Sequence, residues 1–296
     1  MVEENAAGAS AARTPDLPAV EYRDEVTSTN DVAIDAAYEE APHGWAVSAG
    51  CQTSGRGRRG HVWTSPHGSL YLSMVVRPQV PMQNLIAVPA VAAMGAMDAL
   101  HDLGLAGHVG IKWPNDIVAR ADKTAGAAAF DRKLAGILVE ARASGEGPFA
   151  VIGMGVNVRP VKVEAPVPGD EGEEPTPASP RPLDPVSLEE LLGPDAAAPE
   201  LPDLARRLRD AVVARVDAWS QAVKSGGAAA GPLSPILSEY FDMVPMLGHQ
   251  VAVLSPTGYL MNTGVFSGLD VWGRACVLTP TGEQTYPSEA VSLRAL

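Results

Sequence analysis

Apolar positions recur along this chain with two different periods, and the switches between them outline its elements. Ala19–Val26 reads as a strand. It runs into Ser28-Thr29-Asn30-Asp31, after which Val32, Ala33, Ala36 and Ala37 recur at helical spacing. Ser or Thr before such a run is an N-cap signal; hydroxyls at a strand-to-helix turn are equally placed to face a ligand. Trp45–Gln52 and Ser69–Arg77 predict two more strands, the second apolar and therefore central. Leu85–Leu103 predicts a helix with Pro89 near its start and Gly104 as its stop. Its apolar face (Val91, Met94, Met97, Leu100) belongs to a core. His108–Lys112 and Ile117–Ala119 are short strands around the turn Trp113-Pro114-Asn115-Asp116, and an Ala-rich connection, Arg120–Phe130, is expected to be flexible. Lys133–Glu140 and Phe149–Val158 predict buried hairpin partners. The glycines inside them, Gly136, Gly153 and Gly155, suggest that something approaches the backbone closely, often a ligand. Leu204, Leu208, Val212, Val216, Trp219 and Val223 mark an amphipathic helix, and Ile236–Phe241 a short one. The last fifty residues change character: Gln250–Leu254, Met261–Phe266, Ala275–Thr279 and Ala290–Leu293 are short strands separated by turn dipeptides, which suggests a small antiparallel barrel.

Composition bounds this picture. The chain has 296 residues, enough for one large domain and a small one, and 46% are hydrophobic. Its net charge of −13 is unevenly spread: residues 160–200 hold ten Asp or Glu against Lys162 and Arg181, a balance of −8 that leaves −5 elsewhere. That acidic stretch also holds ten of the 26 prolines. It is expected to be a disordered or surface insert, apart from a helical turn at Leu188–Leu192, and removing 163–198 is expected to leave stability unchanged. Residues 1–18 read as a disordered leader. Cys51 and Cys276 make no disulfide framework and point to a reducing cytoplasm. No signal peptide is evident, and no apolar run reaches the ~18 residues of a membrane span.

The candidate chemistry centres on Gly55-Arg56-Gly57-Arg58-Arg59-Gly60. Glycines let the backbone approach a ligand, and arginines bring planar charged forks that suit phosphate and carboxylate. The spacing matches the dinucleotide fingerprint, but that fingerprint should open a helix and be followed by an acid about 20 residues on. His61-Val62-Trp63-Thr64-Ser65-Pro66 starts no helix, and no acid lies near Val80. A nucleic-acid patch is a poor fit to so acidic a chain.

Taken together, several motifs resemble those of the biotin–protein ligases. They are Ser28-Thr29-Asn30, Gln52 before the Gly-Arg loop, Trp63-Thr64-Ser65-Pro66, Leu70-Tyr71-Leu72-Ser73, Lys112-Trp113-Pro114-Asn115-Asp116, Lys133-Leu134-Ala135-Gly136-Ile137-Leu138 and Gly153-Met154-Gly155-Val156-Asn157. The resemblance covers about 19–160 and 245–296. It implies an α+β fold: a mixed β-sheet flanked by helices, akin to class II aminoacyl-tRNA synthetases and lipoyl ligases, with a C-terminal SH3-like barrel. The implied organisation is a leader at 1–18, a catalytic domain at 19–243 with an insert at 160–202, and the barrel at 244–296. Relatives that repress transcription carry an N-terminal winged helix; eighteen disordered residues form none, so the expectation is a monofunctional enzyme that binds no DNA and no membrane, a monomer or weak dimer.

The implied reaction joins biotin to ATP as biotinyl-5′-AMP, then transfers biotin to a lysine of a biotin carboxyl carrier domain. ATP with Mg²⁺ and biotin are substrates, and no prosthetic group is implied. Lys112 matches the lysine between biotin carboxylate and α-phosphate, and Arg58 a residue that neutralises phosphate. The expected biotin contacts are Ser28, Thr29, Asn30, Gln52, Gly55, Arg56, Gly57, Arg58, Lys112 and Gly136. The expected ATP contacts are Arg56, Arg58, Trp63, Asn115, Lys133, Asn157 and Arg294. Asp116 is a candidate for Mg²⁺ or for a turn-stabilising bond. A lipoate or octanoate ligase would share Lys112 but typically lacks the Gly-Arg loop. A nucleic-acid binder leaves the Lys112–Asp116 motif unexplained.

Overall fold

The run Leu70-Tyr71-Leu72-Ser73-Met74-Val75-Val76 is buried at every position, so both of its faces must be covered. A computed structural model places it inside an eight-stranded mixed sheet. The structure describes residues 17–60, 63, 65–120, 130–160, 183–194 and 196–296. The sheet comprises β1 (Glu21–Val26), β2 (Ala46–Gln52), β3 (Leu70–Val76), β4 (Val109–Lys112), β5 (Asp116–Ala119), β6 (Arg132–Ser144), β7 (Gly147–Val156) and the two-residue β8 (Asp184–Pro185). Its order is β1-β2-β3-β7-β6-β5-β4, with β8 paired to β6. The β1–β2 and β6–β8 pairs are parallel and the others antiparallel.

Alternation along the strands sends side chains to two unequal cores. Leu70, Leu72, Met74, Ala150, Ile152 and Met154 face a large core with α2 (Val88–Leu100) and α4 (Leu201–Ala222). These two helices approach closely at Gly95, where a Cβ would lie 2.6 Å from Val212 Cα. On the other face, α1 (Thr29–Tyr38) packs Ala33 and Ala37 on Val47, Val75, Phe149 and Val151. The helical stretch Met82–Leu105 is long and apolar enough to cross a membrane, yet 72% of its most apolar window is buried inside the fold.

α5 (Leu237–Asp242) leads to a five-stranded antiparallel sheet of order β12-β11-β10-β9-β13. Its strands are β9 (Gln250–Leu254), β10 (Leu260–Leu269), β11 (Ala275–Thr279), β12 (Gly282–Tyr286) and β13 (Ser292–Ala295). β12, Gly-Glu-Gln-Thr-Tyr, was not expected: it is an exposed edge strand with no apolar alternation. The two sheets are tied by Trp113 Nε1, which donates to Gly273 O at 3.1 Å, and by Ile111 N–H, which donates to Met243 O at 2.7 Å.

Two expectations need correction. The leader does not run to 18, because Leu17 packs on the core and Pro18 O accepts from buried Arg209. Residues 1–16, the Ala-rich 121–129 and the insert's 161–182 lie outside the described residues. The rest of the insert is not a surface loop. Val186, Ser187 and Leu188 are buried, and Ser187 with Glu190 forms a capping box that starts α3 (Leu188–Leu192). Leu188 N–H also donates to Asn157 O at 2.8 Å. Removing 163–198 is therefore expected to destabilise the fold instead of sparing it. Leu188→Ala alone is expected to cost about 2–5 kcal/mol, read as a lower urea midpoint at constant m-value.

Candidate active site

The site is built on the α1 face of the sheet. Gly136 and Gly155 pair across β6 and β7, and Gly153 pairs with Leu138. A Cβ at Gly155 would lie 2.6 Å from the Trp63 ring, one at Gly136 2.9 Å from it, and one at Gly153 2.0 Å from Asn30 Oδ1. The close approach that these glycines permit is thus made by two side chains of the chain itself. They form a floor on which the indole lies, with Lys133 Nζ 4.9 Å from its centroid.

Above this floor opens a cleft of about 920 Å³. One wall is the turn into α1. Ser28 occupies the N-cap position, but its side chain makes no capping bond, and the residue lines the cleft. Gln52 Oε1 accepts from Thr29 N–H at 2.8 Å and from its hydroxyl at 3.1 Å. Gln52 Nε2 donates to Ser65 Oγ at 3.0 Å, and buried Ser73 Oγ lies 2.8 Å from Thr29 Oγ1 and 2.7 Å from Asn30 Oδ1. Asn30 Nδ2 donates to Glu140 Oε2 at 2.9 Å. A chain of this kind orients the polar atoms of Thr29, Asn30 and Gln52 before a ligand arrives.

The opposite end carries charge. The β4–β5 turn, with a cis Trp113–Pro114 peptide bond, sets Lys112 across from Asp116. Asp116 Oδ1 binds Lys133 Nζ at 2.6 Å, and Oδ2 lies 3.7 Å from Lys112 Nζ, an ion pair too long for a hydrogen bond. Arg294 reaches the same place from β13; its Nε is buried with no hydrogen-bond partner among the described residues. Burial pushes the Lys112 ammonium down to about 8, Asp116 partly offsets this, and Arg294 and Lys133 add to it. Burial raises the Asp116 carboxyl, but Lys133 and Lys112 outweigh it and hold it below the usual carboxylate range. Three cations around one carboxylate leave net positive charge at the foot of a cleft.

Asp116 does not fit a metal site, which corrects that candidacy. Both of its oxygens face ammonium groups, and a divalent cation there would meet Lys112, Lys133 and Arg294.

The Gly-Arg loop closes the cleft from above. Arg56 pairs with Asp31 and, at 3.4 Å, with Glu140. Arg58 Nη2 donates to Ser288 Oγ at 2.8 Å; burial, then Arg59, lowers its basicity. Arg59 donates to the carbonyls of Ser288 and Val291. Ser28, Thr29, Asn30, Gln52, Arg56, Gly57, Arg58, Trp63, Lys112, Asn115, Lys133, Gly136 and Arg294 all line the cleft. Gly55 does not: it is buried beneath the loop and accepts the Trp63 N–H through its carbonyl at 2.9 Å. Asn157 does not either. Its Nδ2 donates to Lys133 O at 3.1 Å and its backbone receives Leu188, so it secures strand ends rather than contacting a nucleotide. Asn115 lines the cleft with its amide already given to Ile137 O at 2.9 Å. Sequence reasoning missed Asp31, Ser65, Ser73, Glu140 and Ser292. Of these, Asp31 stood beside a cap signal and Ser65 and Ser73 lay inside family-like motifs, but no role was assigned to any of them.

Fold and cleft together define a protein that holds an anionic ligand between a preset polar wall and a cationic foot. A profile of the biotin/lipoate A/B protein ligase family matches residues 22–157. The biotin–[acetyl-CoA-carboxylase] ligase of Paracoccus denitrificans is 32% identical over 266 residues, 89% of this chain and 96% of the relative. That of Mycobacterium tuberculosis is 31% identical over 255 residues, 84% and 79% of the two chains. The chain belongs to the biotin–[acetyl-CoA-carboxylase] ligase family. Its fold is similar to that of the Aquifex aeolicus biotin protein ligase solved with biotin and ATP, with a TM-score of 0.65 and 22% identity over 94% of this chain and 99% of that one.

Proposed function

We propose that this chain activates biotin with ATP as biotinyl-5′-AMP and transfers the biotinyl group to a lysine of a carboxyl carrier protein. The observation that carries the reading is the Lys112–Asp116–Lys133–Arg294 cluster at the foot of a cleft whose other wall is a prearranged amide and hydroxyl network. A carboxylate oxygen of biotin attacks the α-phosphorus, the bond to pyrophosphate breaks, and a mixed anhydride forms. The carrier amine then attacks the anhydride carbonyl, expels AMP and loses a proton. In the first step two anions must meet, so positioning and charge neutralisation dominate. Lys112 is the group between them. Lys133 and Arg294 take phosphate oxygens, and Thr29, Asn30 and Gln52 read the ureido ring of biotin. Trp63, on the floor of the cleft, packs against the intermediate. Magnesium arrives with the nucleotide as part of the substrate. The organisation we infer is a catalytic unit over 17–243, with an insert beginning at 160, and a C-terminal unit over 244–296. We read its five-stranded sheet as an SH3-like barrel and the main sheet as akin to class II aminoacyl-tRNA synthetases. The acidic charge balance supports a chain that binds no DNA, and the two free cysteines fit a reducing cytoplasm.

Calorimetric titration with biotin and with lipoate tests the reading. Biotin is expected to bind and lipoate not. The same titration carries a proton signature. Near pH 8.5 Lys112 in the empty site is largely neutral, and a bound carboxylate favours its charged form, so biotin binding should take up protons at that pH and few at pH 6.5. Titrations in buffers of different ionisation enthalpy measure this. Equal affinity for lipoate would overturn the substrate assignment, and no uptake at pH 8.5 would remove Lys112 from the carboxylate.

A further inference from the structure

Arg59 is an exposed, non-glycine residue held in left-handed backbone, φ 57° and ψ 29°. Such a conformation costs free energy and persists where surrounding contacts over-determine it. Those contacts come from its guanidinium, which donates to two carbonyls of one short segment, Ser288 O and Val291 O, the latter at 2.7 Å. Val291 and Leu293 are fully buried, so the segment is fixed in the C-terminal core. It runs directly into β13, which delivers Ser292 and Arg294 to the cleft. β13 is an edge strand, paired with β9 on one side only. The Arg294 Nε has no hydrogen-bond partner among the described residues, so the course of β13 bears directly on where the guanidinium sits. Arg58 differs from its neighbour: it holds a side-chain hydroxyl, Ser288 Oγ, and lies 3.9 Å from the exposed Glu289, contacts easily exchanged for an anion.

We propose that Arg59 is a positioning residue that fastens the Gly-Arg loop to segment 288–291, so that seating the loop and seating Arg294 in the cleft are one event. Arg58 turns to the ligand while Arg59 stays on the C-terminal sheet. The inference rests on the adenylate-forming reading above, since its readout is the nucleotide.

The test is biotin-dependent exchange of labelled pyrophosphate into ATP by the full chain. Arg59→Gly removes the guanidinium and also relieves the left-handed backbone, so folding should survive; a thermal melt checks this. Arg59→Gly is expected to raise KM for ATP about tenfold, the loss of roughly one charge-assisted hydrogen bond, with KM for biotin within about twofold. Arg59→Lys should recover much of the loss. Arg294→Ala should raise KM for ATP similarly, and the double variant should be no worse than Arg294→Ala alone. Additive effects in the double variant, or a fall in kcat with KM for ATP unchanged, would overturn the coupling. No exchange by the wild-type chain would remove the ligase reading and this inference with it; an active wild type with additive variants removes the inference alone.

Discussion

Lys112→Ala is expected to slow biotinyl-adenylate formation at least a hundredfold while leaving the protein folded. The lysine is buried, its ammonium lies where carboxylate and α-phosphate must approach, and Asp116 is its nearest counter-charge at 3.7 Å. Losing one charge-assisted contact in a water-poor site costs about 3 kcal/mol of transition-state stabilisation, which is roughly a hundredfold in rate. The fold survives for a reason visible in the same cluster. Asp116 keeps Lys133 at 2.6 Å, so no carboxylate is stranded. The sign of the stability effect with pH follows from the depressed value. The unfolded lysine binds its proton up to about 10.5 and the folded one only to about 8, so wild type gains stability as pH rises between those limits. Lys112→Ala should lose that gain. Pyrophosphate release measured beside a pH series of melts checks both halves, and near wild-type release from a folded variant would remove Lys112 from the reaction.

Arg58→Gly is expected to produce an enzyme that makes the adenylate but holds it badly. Arg58 anchors the loop to Ser288 and lines the cleft. Removing it takes away both an anchor and an anion contact without touching Lys112 or Lys133. One hydrogen bond to a charged group contributes about 1.5–3 kcal/mol, so release of the mixed anhydride should quicken by roughly 10- to 100-fold. A free acyl-adenylate reacts with any exposed lysine. Incubation with biotin, ATP and albumin, followed by a biotin blot, should show heavy albumin labelling by the variant and little by wild type. Equal, negligible labelling, with adenylate detected in both reactions, would sink the retention role.

Much of this architecture was legible along the chain because one face of nearly every element is apolar. β3 declared itself central through seven consecutive buried positions, and α4 through Leu204, Leu208, Val212, Val216 and Trp219. Elements that owe their place to partners were not legible. β12 is polar and exists because β11 offers it an edge. Of the Val186–Leu192 stretch only the helical turn at Leu188–Leu192 was legible; prolines and acids around it argue for a solvated insert, yet two buried side chains and a capping box bind it to the sheet. The glycines of β6 and β7 signalled close approach, but alternation could not say that Asn30 and Trp63 make it. The Asn30–Glu140 bond spans 110 positions and Arg59–Val291 spans 232, separations at which no local pattern carries information.

The two cores flanking the sheet are very unequal. α1 rests on a cluster of six buried residues, two of them its own alanines, and alanine buries little area. Helix-by-helix stability follows apolar area removed from water. Among the three long helices, α1 thus has the smallest core to lose and is the cheapest to detach locally, below the free energy of global unfolding. Detaching it would release Thr29 from Gln52, Asn30 from Glu140 and Asp31 from Arg56 in a single cooperative step. The sheet and the Lys112–Asp116–Lys133 cluster would stay whole. The half of the site that recognises and the half that reacts therefore belong to different folding units, and the first can rearrange around a ligand without loosening the second.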